Sequence, residues 1–137
     1  MSIEIDHIGI AVNNLDERTP FWVALGLILG EDEELPNDGV IARFLSTQNI
    51  SDTSPRIELL QPTGLDTPIG RFIEKRGEGI QQIAFRVDNI QTTIETLQIN
   101  GVEMIDEIPR AGAHGTLIAF VHPKSTGGVL VEIVQRQ

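Results

Sequence analysis

Four polar side chains interrupt otherwise apolar runs of this chain: His7 in IDHIGIAV, Glu58 in IELL, Gln82 in QIAF and Glu132 in VEIV. A carboxylate enclosed by Ile, Leu and Val costs several kcal/mol of desolvation if it is buried alone, so it needs a cation, a donor or water. One imidazole, one amide oxygen and two carboxylates form a hard-to-borderline donor set suited to a divalent metal. The competing reading is that each points to solvent from an antiparallel strand, as polar residues commonly do. The spacing favours a site, because His7 and Gln82 lie 75 positions apart and Glu58 and Glu132 lie 74 apart.

That offset runs through the chain. Ile5 pairs with Ile80, Ile8 with Ile83, Val12 with Val87, Asn14 with Asn89 and Gly26 with Gly101. A repeat at half the chain length predicts two copies of one supersecondary unit, with a site drawing a matching residue from each. Alternation of Ile8, Ile10 and Val12 with His7, Gly9 and Ala11 predicts a strand whose two faces differ, one branched and one small. Leu15, Trp22 and Leu25 suit a helix that stops at Gly26. Pro20 is expected as the first helical position with Thr19 as N-cap, and Asn14 to Arg18 as a preceding turn. Short strands are predicted at Leu27 to Leu29 and Val40 to Leu45, around a turn at Pro36 to Gly39. Ser46 to Pro55 reads as a loop and Arg56 to Gln61 as a strand ended by Pro62. A helix from Pro68 to Arg76 links the halves. The second half repeats the order with a strand at Gly79 to Val87, a helix carrying Ile90, Ile94 and Leu97, and strands at Val102 to Ile105, Thr116 to Val121 and Val129 to Val134. Each half thus reads strand, helix, strand, strand, strand. One domain over residues 1–137 is expected, with modules at about 1–66 and 79–137 joined by the helix at 68–76.

Composition narrows the partners. With 137 residues, 40% hydrophobic and 22% charged, the chain reads as a soluble globular domain without a run near the ~20 apolar residues of a membrane helix. It contains no cysteine, so disulfides and thiolate metal sites are excluded, and no signal peptide is legible; a cytoplasmic location is the expectation. A formal charge of −10 argues against nucleic acid. The acidic run Glu31 to Glu34 reads as a solvated turn.

The duplicated βαβββ pattern with its four polar positions resembles the vicinal oxygen chelate superfamily (glyoxalase/bleomycin resistance/dioxygenase), and within it the methylmalonyl-CoA epimerases. The residues that carry the resemblance are DHIGIAV at 6–12, IELLQP at 57–62, TPIGRFIEKRGEG at 67–79, PRAGAHG at 109–115 and FVHPKSTGGVLVEI at 120–133, which together cover nearly the whole chain. The resemblance implies an α+β fold of two paired βαβββ modules forming a curled eight-stranded sheet around a metal cleft. It implies a divalent metal on His7, Glu58, Gln82 and Glu132, with cobalt, manganese, zinc, nickel and magnesium all open. It further implies a small-molecule acyl-CoA substrate, a homodimer, and neither nucleic acid nor membrane as partner. Family members usually carry HHIAF where this chain has Gln81-Gln82-Ile83-Ala84-Phe85, so their second histidine falls on Gln82. A catalytic glutamate of well-studied relatives falls on Ala42.

The reaction so implied removes the proton between a thioester and a carboxylate, passes through an enolate, and returns the proton on the other face. A Lewis-acidic metal suits the enolate, and Glu132 is expected as ligand and base. His114, His122 and Lys124, near glycine-rich loops, are expected as anchors or surface residues. Two alternatives stay open: a glyoxalase-type isomerase, and a non-catalytic member that sequesters a small ligand. A ring-cleaving dioxygenase fits less well, since its iron wants two histidines and one carboxylate.

Overall fold

The computed structural model describes residues 2–47 and 54–137; the middle of the loop expected at Ser46 to Pro55 lies outside them. Eight strands form one mixed sheet and three helices accompany it, an α+β architecture. The strands are β1 (Ile3–Ala11), β2 (Ile28–Leu35), β3 (Val40–Ser46), β4 (Arg56–Pro62), β5 (Gly79–Val87), β6 (Arg110–Ala111), β7 (Leu117–Val121) and β8 (Val131–Gln135). The helices are α1 (Leu15–Leu25), α2 (Pro68–Arg76) and α3 (Ile90–Ile99). The chain divides into two compact units, His7–Gln81 and Gln82–Gln137 together with Met1–Asp6. No helix among the described residues is long and apolar enough to cross a membrane.

In the unit His7–Gln81 the strand order is β2-β3-β4-β1. β4 pairs antiparallel with β3 and parallel with β1, because α1, β2 and β3 intervene between the first strand and the last and form the crossover that a parallel pair requires. Strand alternation then sorts the side chains. One face presents Ile10, Val12, Ile41, Leu45, Ile57 and Leu59, which pack with Leu15, Trp22 and Leu27 into a core. Trp22 is therefore a packing residue, and its ring meets Phe21 edge-on at 5.1 Å. The other face carries His7, Gly9, Ala11, Ala42, Phe44, Glu58 and Leu60.

The second unit has the order β5-β8-β7-β6, with β8 parallel to β5 and antiparallel to β7. Ile90, Ile94, Val87, Met104, Ala119, Val121 and Ile133 form its core under α3. Ala84, Ile118, Val134 and Phe120 cluster on the opposite face. Asp6, 1% exposed, is held by Arg136 (Nε to Oδ1 3.0 Å) and by Arg86 (Nη1 to Oδ1 3.3 Å), and Arg86 also pairs with Glu4.

Both helices that follow the first strand of a unit start in the same way. Asn14 and Asn89 are the N-caps, accepting from Glu17 N at 3.0 Å and Thr92 N at 2.9 Å. The first helical amide is then taken by a glutamine near the end of the unit's last strand. Leu15 N donates to Gln61 Oε1 at 2.8 Å, and Ile90 N to Gln135 Oε1 at 2.9 Å. These glutamines lie one repeat apart, and each ties a helix start to the strand that carries the site glutamate.

Four elements differ from the sequence expectation by more than a single residue at one end. α1 begins at Leu15 with Asn14 as N-cap, rather than at Pro20 with Thr19 as N-cap, and Pro20 lies inside it. Proline removes one amide donor, but the Asn14 and Gln61 contacts fix the first turn before Pro20, and the Thr19 hydroxyl donates back to Leu15 O at 2.6 Å. The acidic run Glu31 to Glu34 is not a turn. It belongs to β2, which runs on from Ile28 to Leu35 as the sheet edge, where charge is compatible with a strand and blunts edge-to-edge pairing. Val102 to Ile105 forms no strand beyond a single bridge from Met104 to Val121. The amides of Ile105 and Asp106 both donate to Phe120 O, which ends the ladder, and the two-residue β6 takes the place beside β7. The last strand begins at Val131 instead of Val129.

Arg43 braces β3, donating to Asp32 through Nε at 2.8 Å and Nη2 at 2.9 Å and to Asp16 and Thr19 through Nη1. Its guanidinium holds the Asp32 carboxyl below the usual range. Arg18 does the same to Glu78, helped by the amide of Asn13. Both carboxylates thus stabilise the fold above the ordinary carboxylate pKa and lose that contribution as pH falls through the lowered value; as surface pairs they contribute little. The glutamine contacts are the larger test of the repeat. Gln61→Ala and Gln135→Ala should each cost about 1 kcal/mol, read by urea denaturation.

Candidate functional site

Each unit brings its own two polar residues into contact. In His7–Gln81, the His7 Nδ1 lies 3.0 Å from Glu58 Oε2. In the other unit, Gln82 Nε2 donates to Glu132 Oε1 at 3.0 Å. All four residues are buried, at 5% for His7, 6% for Glu58, 8% for Gln82 and 5% for Glu132, so none is a solvent-facing polar residue of a half-exposed strand.

Register explains why the two pairs match. Gly9 lies opposite Glu58 in the parallel β1/β4 pair, and Ala84 lies opposite Glu132 in the parallel β5/β8 pair. His7 and Gln82 each stand two residues before the small residue, on the same face of the strand. The contact is therefore a diagonal one, made across Gly9 or Ala84, whose lack of bulk gives the longer side chains room to meet. Phenylalanines flank both glutamates, with Phe44 opposite Glu58 and Phe120 opposite Glu132 in the antiparallel pairs. An arginine stacks on each ring: Arg56 at 5.2 Å from the Phe44 centroid and Arg110 at 5.5 Å from that of Phe120.

Asp6 is already matched by Arg86 and Arg136, whereas the imidazole of His7 and the carboxylate of Glu58 face each other. The sequence reading passed over Asp6, whose position beside His7 in DHIGIAV was its only signal. It also passed over Arg56 and Arg110, since nothing in a sequence reveals that an arginine lies on a ring of the neighbouring strand. Ala42 is fully buried on the Glu58 face, opposite Leu60. His122 and Lys124 are anchors: His122 Nδ1 accepts from Lys124 N, and the Lys124 ammonium pairs with Glu103 at 3.3 Å. His114 is exposed, with left-handed backbone at φ 56°.

The chain is thus an α+β duplication in which the first and last strands of each βαβββ unit present a buried polar pair. The chain belongs to the glyoxalase/bleomycin resistance protein/dioxygenase superfamily, whose model matches residues 6–120. More narrowly, it is 37% identical over 133 residues to the human mitochondrial methylmalonyl-CoA epimerase, spanning 96% of this chain and 73% of the human protein. A methylmalonyl-CoA epimerase solved in complex with methylmalonyl-CoA and ammonium superposes with a TM-score of 0.92 at 34% identity, covering 98% of this chain and 95% of that one. A hypothetical protein of Bacillus halodurans C-125 has the same TM-score at 43% identity, covering 100% of this chain and 96% of its own.

Proposed function

We propose that the chain is a metal-dependent epimerase that interconverts the two configurations of methylmalonyl-CoA. The observation that carries this is the matched pair of buried polar contacts, one per repeat, in a chain similar to epimerases over nearly its full length. His7, Glu58, Gln82 and Glu132 are the proposed metal ligands. The donor set fits a divalent ion: two carboxylates bring the charge, and two neutral donors complete the set within apolar strands that would otherwise not tolerate them. When bound, such an ion supplies positive charge that lowers the cost of negative charge developing on the thioester oxygen. A soluble cytoplasmic homodimer acting on a free acyl-CoA belongs to the same proposal, and the net charge of −10 supports the exclusion of nucleic acid.

Glu132 is the proposed base. Its carboxylate takes the C2 proton, the electron pair moves into the enolate, and a proton is returned to the opposite face of C2. Gln82 holds Oε1 of Glu132 by a neutral amide N–H, which orients the carboxylate without offering it a proton. Glu58 faces an imidazole instead, and is the better suited of the two to serve as ligand alone. The second proton carrier is not at position 42, where the alanine methyl has no proton to exchange.

Two outcomes follow. Glu132→Gln should lower the turnover of a single configuration of methylmalonyl-CoA by roughly 100-fold or more. Glu58→Gln should affect metal affinity more than turnover at saturating metal. Equal losses in both quantities for both variants would refute this division of roles. For Gln82, an amide oxygen is a harder donor than imidazole and matches zinc or cobalt less well than manganese or magnesium. Gln82→His should tighten zinc or cobalt by about tenfold in calorimetric titration, a change of the size seen when residues around a metal are altered. Superimposable titrations of the two proteins would remove Gln82 from the ligand set.

A further inference from the structure

We propose that the outer face of α1, together with the adjoining start of β2, is the surface through which two copies of this chain pair. This deepens the homodimer part of the reading above and is independent of the reaction. Phe21 and Leu25, one helical turn apart, are 63% and 64% exposed, and Val23, Ile28 and Leu29 beside them are exposed too. The inner side of the same helix supplies Leu15 and Trp22 to the core, so α1 is apolar on both sides. A helix of that kind is stable where both sides are packed.

The repeat contains a solvated version of the same helix. At an offset of 75, Phe21 corresponds to Thr96, Val23 to Gln98, Leu25 to Asn100 and Ile28 to Glu103. Those residues are exposed as their counterparts are, and Leu15 and Thr19 of α1 are buried where Ile90 and Ile94 of α3 are buried, so each helix seats the same side on its own sheet half. The outward positions are thus equivalent, and α3 fills them with polar groups where α1 fills them with hydrocarbon. Ile99 is the exception on α3, standing where α1 has Ala24. Packing onto a sheet does not require Phe21 and Leu25, since α3 packs without them. A partner does require them.

A second copy fits this face. Pro20 and Val23 of α1 and Leu29 and Gly30 of β2 line one open hollow, so the helix and strand parts of the patch adjoin. The exposed Phe, Leu, Ile and Val side chains present apolar area on the order of that on one side of a standard interface, which is about 800 Å² with somewhat more than half of it non-polar. The i, i+4 pair Phe21 and Leu25 forms a ridge that packs against its own copy across a two-fold axis, and Phe21 is set in advance by its edge-on contact with Trp22 at 5.1 Å. The strand edge is the poorer route, because antiparallel pairing of β2 with its copy would bring the acidic run Glu31 to Glu34 against like charges. Helix-to-helix contact avoids this. The net charge of −10 on each copy then means that added salt strengthens the contact.

Sedimentation equilibrium of the full chain tests the assignment. The unaltered protein should have twice the 15.1 kDa mass of one chain, and its dissociation constant should fall as salt rises from about 0.05 to 0.5 M. The double variant Phe21→Thr, Leu25→Asn gives α1 the residues that α3 carries at these positions, and it should weaken association by roughly 100-fold or more. The other repeat already accommodates this pair, where Asn100 Nδ2 donates to Thr96 O at 2.8 Å, and circular dichroism checks that the variant folds. Leu25→Lys, in the last turn of the helix, carries the same comparison if the double variant does not fold. A dimer that the folded variants leave intact, or that loosens as salt is added, overturns this face while leaving the homodimer reading in place. An unaltered protein that is monomeric at roughly 100 μM removes the homodimer reading and this assignment together, and leaves the epimerase reading standing.

Discussion

A carboxylate in the middle of an apolar strand is tolerated only if something answers its charge, and Glu58 and Glu132 impose this condition twice. Each sits on the last strand of its unit, buried, with a residue of the first strand turned toward it. Much of the rest follows from meeting that condition. The first and last strands must be adjacent and parallel, so a crossover must lie between them, and α1 and α3 supply its helical part. The residue across from the glutamate must be small, and it is Gly9 in one unit and Ala84 in the other. The opposite face of each sheet half must be apolar to seat the helix, and the 2-residue period makes it so.

The two units are alike in geometry and unlike in chemistry. An imidazole can hold or release a proton beside Glu58, whereas the amide beside Glu132 donates a hydrogen bond and stays neutral. Sequence divergence between the copies has thus left one carboxylate against a titratable partner and the other against a neutral one. That difference is the physical ground for giving the two glutamates different roles. The aromatic neighbours kept their places through the same divergence, Phe44 and Phe120 each opposite a glutamate and each beneath an arginine.

Periodicity and repetition made the main strands and the four polar positions legible, because both are local patterns that burial imposes on the chain. The contacts between His7 and Glu58 and between Gln82 and Glu132 follow from strand pairing, which the repeat offset encodes. What escaped the sequence reading depends on tertiary partners. Pro20 looked like a helix start because its missing amide is a local fact, while the Gln61 bond that begins the helix earlier comes from 46 residues away. Glu31 to Glu34 looked like a turn because acidic strands are uncommon, and only the place of β2 at the sheet edge makes them acceptable. Val102 to Ile105 had strand composition, but its amides go to separate acceptors, Val102 to Leu97 O, Glu103 to Ser125 Oγ and Ile105 to Phe120 O, so no ladder forms.

The central claim is that a carboxylate at position 132 moves the C2 proton of an acyl-CoA. It is tested most directly by incubating the metal-supplemented protein with one configuration of methylmalonyl-CoA in deuterium oxide and following the mass of the recovered thioester. The account predicts one deuterium at C2, gained in step with interconversion and lost in Glu132→Gln. No uptake with metal supplied, or uptake undiminished by Glu132→Gln, would contradict it.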